Sequence, residues 1–334
     1  MAVLAHARKE YFGLRPMDPM KDLKGVADLI EEAFAHDLDR SGQNALRELR
    51  WLSRLKPVLW WMVTFNPDHT DFLSGFVWEE EHKIVGNITV NQSSPGSRRW
   101  LISNVAVAQE YRGRGIARGL MYAALELVNE YHGKSVALQV RADNQPARHL
   151  YNTLKFRELA GSTFLQLKQV PVIEKTPFPA GLKLRPRHFS ALDARLAYNL
   201  ASAATAEPVQ QEWPLRRSRF ELGFNEQMSN LIHRLVGAAP SAHWVVEESQ
   251  RLVGLINVLG GGFGQNHRLE LIVHPDWRGQ LERPLLSQAF HYLYPWRDKG
   301  VAVKHPADHA EAIAAFKEFG FYEEQTLIWM KREM

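Results

Sequence analysis

The chain has 334 residues, 45% of them hydrophobic, a net charge of +4 and no cysteine. The missing cysteine excludes disulfides, thiolate metal sites and a covalent cysteine intermediate. The mild, scattered basic charge does not require nucleic acid as a partner and suits a small polyanionic ligand equally well.

The length exceeds what one ordinary core needs and fits two cores of about 150 residues each. The first residues, MAVLAHARKEYFG, lack the apolar region of a signal peptide. The longest apolar run, residues 57–65, is far shorter than a membrane-spanning helix. The sequence therefore predicts a cytoplasmic protein that has no membrane partner.

The first half of the chain shows a readable series of strands and helices. A short strand ends at 14–16, and apolar spacing predicts a helix over 22–38. Three predicted strands follow, at 71–80, 83–92 and 100–108. A helix is then predicted from 116 to a stop at His132-Gly133, followed by a strand at 135–141, a helix at 144–156 and a strand at 162–170. Asn144 is the predicted N-cap of the second of these helices. The order predicts an α+β fold with a mixed, mostly antiparallel sheet flanked by helices.

The second half of the chain repeats the first. Four segments recur in the same order, 165 to 170 residues later: 14–16 at 184–186, 83–90 at 251–258, 104–115 at 270–281 and 150–156 at 315–321. A repeat of this length is a domain and not a solenoid unit. The sequence predicts a first repeat at 1–168, a proline-rich linker at 169–181 and a second repeat at 182–334.

The stretch SNVAVAQEYRGRGIARGL, residues 103–120, places two glycines where a strand becomes a helix. The first turn of a helix has free N–H groups and a positive dipole end, which together bind phosphate. Gly113 and Gly115 would let an anion approach the backbone, and Arg112, Arg114 and Arg118 would add charge. On these residues alone, the alternative to a phosphate-binding turn is a flexible glycine-containing loop whose arginines are exposed to solvent.

Two motifs then match in one chain. Arg112, Gly115 and Ala117 fit a Gln/Arg-x-x-Gly-x-Gly/Ala phosphate-binding pattern, and residues 144–151 fit Asn-x-x-Ala-x-x-Leu-Tyr. In both motifs and in their spacing the sequence resembles the Gcn5-related N-acetyltransferase (GNAT) family, over both halves of the chain. The resemblance implies two tandem GNAT-like domains and an N-acetyltransferase that uses acetyl-CoA as cosubstrate.

The resemblance also implies roles for single residues. The backbone at 105–107 would pair with the pantetheine arm, N–H groups from Arg112 to Ala117 would hold the pyrophosphate, and Asn144 would touch the pantetheine or the acyl end. The implied cofactor-binding residues are Val105, Ala106, Val107, Arg112, Gly113, Arg114, Gly115, Ile116, Ala117 and Asn144. Tyr151 would be the general acid that protonates the leaving thiolate. Without cysteine, we expect the amine to attack the thioester directly in a ternary complex.

The general base stays unassigned. Some family members that acetylate protein N-termini have a glutamate where this chain has Gln139, which cannot accept a proton. The candidates for the base that the sequence offers are Glu79, Glu80, Asn104 and His149. The glutamine supports an alternative function, a non-catalytic acyl-CoA-binding or interaction module.

The second repeat has lost key positions. Arg278 is kept, but Leu281 replaces Gly115, Arg283 replaces Ala117, His309 replaces Asn144 and Phe316 replaces Tyr151. A leucine side chain would stand where phosphate must approach, so we expect this repeat neither to bind coenzyme A nor to catalyse. Its expected role is to complete a sheet or to wall the acceptor groove.

Other features allow narrower expectations. His305 and His309 have a spacing that can bind metal on a helix, but a third ligand is missing, so no metal is predicted. The aromatic segment 51–65 is either core or an apolar acceptor pocket. The acceptor is expected to be a small-molecule or peptide amine. Because an internal duplication can substitute for a dimer, the sequence favours a monomer. A homodimer stays an alternative.

Overall fold

The structure is a computed structural model. It describes residues 13–34, 74–223, 228, 230, 231, 233, 235, 237–262 and 264–334. The aromatic segment at 51–65, with its two proposed roles, lies outside these described residues.

Strands and helices follow the alternation that the sequence predicts. The strands are β1 (Leu14–Pro16), β2 (Gly75–Glu80), β3 (Lys83–Gln92), β4 (Arg99–Val107), β5 (Ser135–Arg141), β6 (Arg157–Leu167), β7 (Lys183–Pro186), β8 (Ala242–Glu248), β9 (Arg251–Leu259), β10 (His267–Val273), β11 (Val301–Pro306) and β12 (Tyr322–Glu333). The helices are α1 (Pro19–Phe34), α2 (Ile116–Glu130), α3 (Gln145–Thr153), α4 (Ala191–Ala204), α5 (Glu207–Glu212), α6 (Glu282–Leu293) and α7 (Ala310–Glu318). Short 3-10 turns include Gln109–Tyr111 and Pro275–Trp277.

The chain divides into two compact units. Among the described residues, the first unit comprises 13–34, 74–140, 144–158 and 329–334, and the second comprises those in the ranges 141–143 and 159–328. Thus β6, the last strand of the first repeat, belongs to the second unit from Leu159 onward, and the end of β12 belongs to the first unit. The domain boundaries drawn from the sequence stay a prediction.

The first unit contains a mixed sheet. Strands β1, β2, β3 and β4 pair antiparallel in chain order, and β4 pairs parallel with β5 across helix α2. Helix α1 buries Val26, Ala27 and Ile30 against Val77 of β2. The apolar spacing read from the sequence therefore forms the buried face of this helix.

The second unit repeats this pattern. Strands β7, β8, β9 and β10 pair antiparallel in chain order, and β10 pairs parallel with β11. On its other side β11 pairs antiparallel with β6. The α+β fold class predicted from the sequence, with a mixed and mostly antiparallel sheet, is confirmed. No helix in the part of the chain that the structure describes is long and apolar enough to cross a membrane.

The duplication is visible in a partly buried ion network at the start of the first unit. Arg15 on β1 donates two hydrogen bonds to Asp22 on α1, at 2.6 and 2.8 Å, and a third to Glu79 on β2 at 2.7 Å. Asp22 also accepts the N–H of Asp18 at 2.7 Å. One guanidinium therefore fixes a strand, a helix and the adjacent strand to each other.

The second unit has the same network. Arg185 donates to Asp193 at 2.7 and 2.9 Å and to Glu247 at 2.8 Å. Asp193 accepts the N–H of His188 at 2.7 Å. The hydrogen bond from Arg185 holds the pKa of Asp193 below its usual range. The recurring LRP tripeptide therefore marks a repeated ion network, here called the clamp. It consists of Arg15, Asp22 and Glu79 in the first unit and of Arg185, Asp193 and Glu247 in the second.

Replacing this carboxylate is expected to destabilise the second unit. Asp193→Ala would leave the half-buried Arg185 with one acidic partner and the N–H of His188 with none, so we expect the free energy of unfolding to fall by about 3 kcal/mol. Urea unfolding followed by tryptophan fluorescence measures it. Glu318→Ala is the control, because its ion pair with Arg283 is exposed, and it should cost less than about 1 kcal/mol. Equal effects of both substitutions would contradict the clamp.

Candidate active site

A gap opens between two neighbouring strands of the first unit. The parallel pairing of β4 with β5 ends at Ile102 and Leu138, whereas the pairing of β4 with β3 continues to Val107 and Gly86. The register of β3 and β4 shifts near Asn104, which has a φ of +51°. A bulge of this kind bends a strand, so it turns the end of β4 away from β5.

The end of β4 presents backbone groups to this gap. The N–H of Ala108 donates to the Val85 carbonyl of β3 at 2.9 Å. Because successive residues of a strand point their backbone groups to opposite sides, Ala106 also faces β3, and Val105 and Val107 face the gap. The Val107 carbonyl accepts a hydrogen bond from Arg112 Nε at 3.1 Å. The gap can accept an added extended segment along Val105 and Val107.

The chain then turns into helix α2 with its backbone exposed. Gly113 and Gly115 have φ values of +79° and +83°, in the left-handed region that favours glycine. A Cβ at either position would meet no atom within 4 Å, so open space adjoins both residues. Gly115 is the N-cap of α2 and has no side chain to accept the first-turn N–H groups. These groups face a space that an anion can enter.

Basic side chains surround the turn. The guanidinium of Arg114 lies 4.7 Å from the ring centre of Tyr111, donates to the Glu110 carbonyl at 3.0 Å and lies 4.0 Å from Glu80. Arg112 and Arg114 both remain exposed to solvent. Their charge adds to the dipole of α2 at the same end of the helix.

Helix α3 carries the second motif. The side chain of Asn144 accepts the N–H of Ala147 at 3.1 Å, which is the N-cap role predicted from the sequence. Tyr151 is 5% exposed and its ring lies 6.0 Å from that of Phe156. Burial raises the pKa of the Tyr151 hydroxyl to about 12. The hydroxyl is therefore protonated at neutral pH and able to donate a hydrogen bond.

This shifted pKa makes stability depend on pH in the alkaline range. The unfolded chain ionises Tyr151 near pH 10 and the folded chain near pH 12, so the stabilisation is complete below pH 10 and is lost as the pH rises toward 12. We expect wild type to lose about 2 to 3 kcal/mol more than Tyr151→Phe over this interval. Urea unfolding at each pH measures it; parallel curves would contradict it.

The four base candidates lie in different environments. Glu79 is held by Arg15 in the ion network, and Glu80 accepts a hydrogen bond from Trp78 Nε1 at 3.2 Å. Asn104 donates to Thr89 Oγ1 at 3.3 Å. His149 is exposed on α3, and Gln139 is exposed on β5. No contact among these described residues singles out a base.

Comparisons with known proteins decide the family. The family described as Acetyltransferase (GNAT) family matches residues 30–156. The chain is 36% identical over 97 residues to an N-alpha-acetyltransferase of Saccharolobus solfataricus, covering 26% of this chain and 58% of that protein. It is 39% identical over 83 residues to N-alpha-acetyltransferase daf-31 of Caenorhabditis elegans, covering 23% and 46%. Residues 30–156, which contain both motifs, belong to the GNAT family.

The chain spans about half the length of these curated relatives. A crystal structure of a GCN5-related N-acetyltransferase from Sphaerobacter thermophilus resembles it over 97% of both chains, with 16% identity and a TM-score of 0.61. At this identity the likeness shows that the two proteins share a fold. The GNAT family predicted from the two motifs is confirmed.

The second repeat keeps the outline of a GNAT phosphate turn and changes its residues. Gly279 keeps a φ of +79° after the turn Pro275–Trp277, as Gly113 does. Leu281 adopts right-handed backbone angles, with φ −102° and ψ −17°, where Gly115 is left-handed. Its side chain is buried in the core of the second unit. The leucine was expected to block an anion directly, and the structure instead shows it packed inward.

A glutamate fills the turn of the second repeat. Glu282, at the position of Ile116, is 1% exposed and accepts a hydrogen bond from His309 Nε2 at 2.8 Å. Burial opposes its ionisation, but His309 and the nearby backbone N–H groups of Glu282 and Gly279 outweigh burial and lower the pKa of the carboxyl. The chain thus supplies its own anion at the start of α6, where the first repeat is open.

Glu282 was not among the residues predicted from the sequence. The spacing of His305 and His309 is that of a metal-binding pair on one helix, but the structure places them at the end of β11 and at the N-cap of α7. Their facing nitrogens, Nε2 of His305 and Nδ1 of His309, are 2.9 Å apart and hydrogen-bonded. Among the described residues, no group of three His, Asp or Glu side chains has an arrangement that could hold a metal ion. The sequence signal that could have revealed this group is the presence of three polar residues, Glu282, His305 and His309, in the repeat whose phosphate motif is lost; all three are buried.

Proposed function

We propose that the first repeat is an acetyl-CoA-dependent N-acetyltransferase that moves an acetyl group to a primary amine. The observation that carries this proposal is the gap between β4 and β5, which leads into the open turn at Gly113 and Gly115. An extended ligand that ends in a pyrophosphate matches both parts. The curated relatives named above are N-alpha-acetyltransferases, which supports the reaction class.

Coenzyme A would bind through backbone groups. The pantetheine amides would pair with Val105 and Val107 on the open edge of β4, next to Ala106, as an added strand does. The pyrophosphate would accept N–H groups in the range Arg112 to Ala117 at the start of α2. Asn144 uses its carbonyl oxygen as a helix cap. Its amide N–H groups would donate to the pantetheine or the acyl end.

The chemistry follows from direct attack. The amine nitrogen attacks the thioester carbonyl, a C–N bond forms, the C–S bond breaks, and the sulfur leaves with the electron pair. Tyr151 would act as the general acid that donates toward this sulfur. Its pKa of about 12 lies above that of an ordinary thiol, so full proton transfer to the thiolate is uphill, and the hydroxyl would act by donating a hydrogen bond to the developing thiolate. The proton lost by the amine leaves through a group that stays unassigned.

The acceptor is proposed to be a small-molecule or peptide primary amine. The relatives include a mycothiol acetyltransferase of Corynebacterium glutamicum and a streptothricin acetyltransferase of Bacillus subtilis, so matching proteins differ in what they acetylate. We propose that one chain is the functional unit, because its internal duplication substitutes for a second copy.

Calorimetric titration of acetyl-CoA into the full chain tests the cofactor. We expect one site per chain, followed by thiol release when peptides with free N-termini, polyamines or aminoglycosides are added. Two equivalent sites would show that the second repeat also binds the cofactor. Binding without thiol release from any amine would favour the acyl-CoA-binding module, and no binding would overturn the proposal.

A further inference from the structure

The second unit contains a cavity of about 170 Å³ in the gap that corresponds to the cofactor gap of the first. The parallel pairing of β10 with β11 ends at Leu269 and Val303. The cavity is lined by the following residues of both strands, Glu270–Val273 and Lys304–Pro306, and by helix α4. Because Glu282 fills the adjacent turn, this gap is closed at the end where the first unit would hold a pyrophosphate.

The cavity has an excess of positive charge. Arg278, Arg219 and Lys304 line it against one acidic residue, Glu270. Glu270 is already neutralised by Arg219 at 2.9 Å and accepts an amide N–H from Asn257 at 2.9 Å. The lining residues therefore favour an anionic ligand.

Among the cations that line the cavity, Arg278 is the one that is partly buried. Its Nη2 donates to the Ala204 carbonyl at 3.2 Å, and its buried Nε has no hydrogen-bond partner. Across the ranges that the structure describes, no acidic side chain forms an ion pair with it. An uncompensated, partly buried guanidinium is costly, and its planar donors fit a carboxylate.

Hydrogen bonds link Glu282, His309 and His305 in a chain, and this chain determines which nitrogen of His305 can accept a hydrogen bond. The Glu282 carboxylate accepts the Nε2–H of His309, and His305 Nε2 lies 2.9 Å from His309 Nδ1. The donor across this contact depends on the tautomers, and we assign His309 as a neutral ring whose Nδ1 accepts the Nε2–H of His305. The lone pair of His305 is then on Nδ1, which has no hydrogen-bond partner among the described residues, and His305 is 2% exposed and lines the cavity. Burial is the largest cause that lowers the pKa of His305, to about 3, and the charge of Arg278 acts in the same direction, so the ring is neutral. A ligand must offer this nitrogen a donor.

We propose that this cavity binds a small α-hydroxy carboxylate, whose carboxylate pairs with Arg278 and whose hydroxyl donates to His305 Nδ1. The volume corresponds to about five or six water molecules, which is the size of lactate. An α-amino acid would add an ammonium group to a cavity that already has an excess of cations. The first repeat has Val140 and Ile116 in place of His305 and Glu282, so the arrangement is specific to the second.

The test is calorimetric titration of the full chain with L-lactate. We expect one site per chain, and about tenfold weaker binding of propionate, which lacks the hydroxyl. Arg278→Gln should weaken lactate binding about 10- to 100-fold. Arg283→Gln is the matched control, because Arg283 lies in the first turn of the following helix α6, pairs with the exposed Glu318 and does not line the cavity. It should leave lactate binding unchanged.

Two further measurements show whether lactate contacts His305 and whether each variant is folded. Lactate should shift the ¹⁵N resonance of His305 Nδ1, and each variant should keep the circular dichroism spectrum and the urea midpoint of wild type, which shows that it is folded. No lactate binding by wild type, or equal binding by Arg278→Gln, would overturn the proposal. Tighter binding of L-alanine or of inorganic phosphate would overturn the ligand class.

Discussion

Gly115→Leu is expected to abolish acetyl-CoA binding. The left-handed backbone at Gly115 costs a leucine about 1 to 2 kcal/mol, and the new side chain would fill the open space that the pyrophosphate must enter. Loss of several charge-assisted hydrogen bonds would weaken binding about 100-fold or more. Calorimetric titration of acetyl-CoA measures this change.

The matched control is Gly279→Leu in the second repeat. Gly279 has nearly the same φ, so it carries the same backbone strain. Because the turn beside it is filled by Glu282, its substitution should leave acetyl-CoA affinity within about twofold of wild type. Loss of binding in Gly279→Leu together with retention in Gly115→Leu would assign the cofactor to the second repeat.

Tyr151→Phe is expected to lower kcat for acetyl transfer by about 10² to 10³ with little change in KM for acetyl-CoA. The hydroxyl acts on a charge that develops only as the C–S bond breaks, so its removal affects the transition state more than binding. The fold should tolerate phenylalanine, because Phe316 is buried at the same position of the second repeat. Thiol release with a saturating amine measures kcat.

Tyr122→Phe serves as the control, since Tyr122 is exposed on α2. Its kcat should equal that of wild type. If Tyr151→Phe also kept the full rate, the proposed acid would be wrong and the buried tyrosine would be a core residue. A rise in KM at constant kcat would indicate a role in binding alone.

The family was readable from the sequence because its two motifs are local, and the repeat was readable because four short segments recur in the same order. Glycine at 113 and 115 before a helix marks left-handed backbone, which the structure shows at both residues. Asn144 before proline marks an N-cap, and its side chain makes that hydrogen bond. Hydrophobic periodicity marked the buried face of α1. Each feature depends on residues within a few positions of one another.

The sequence by itself therefore determined the duplication, the α+β class, the GNAT family and the open turn of the first repeat. Only the tertiary structure decided that Val105 and Val107 face the gap and that Glu282 fills the second turn. It alone joined Glu282, His309 and His305 into one chain beside Arg278. The physical reason is that strand register and helix docking bring together side chains that lie more than 20 residues apart, and local spacing contains no record of those contacts.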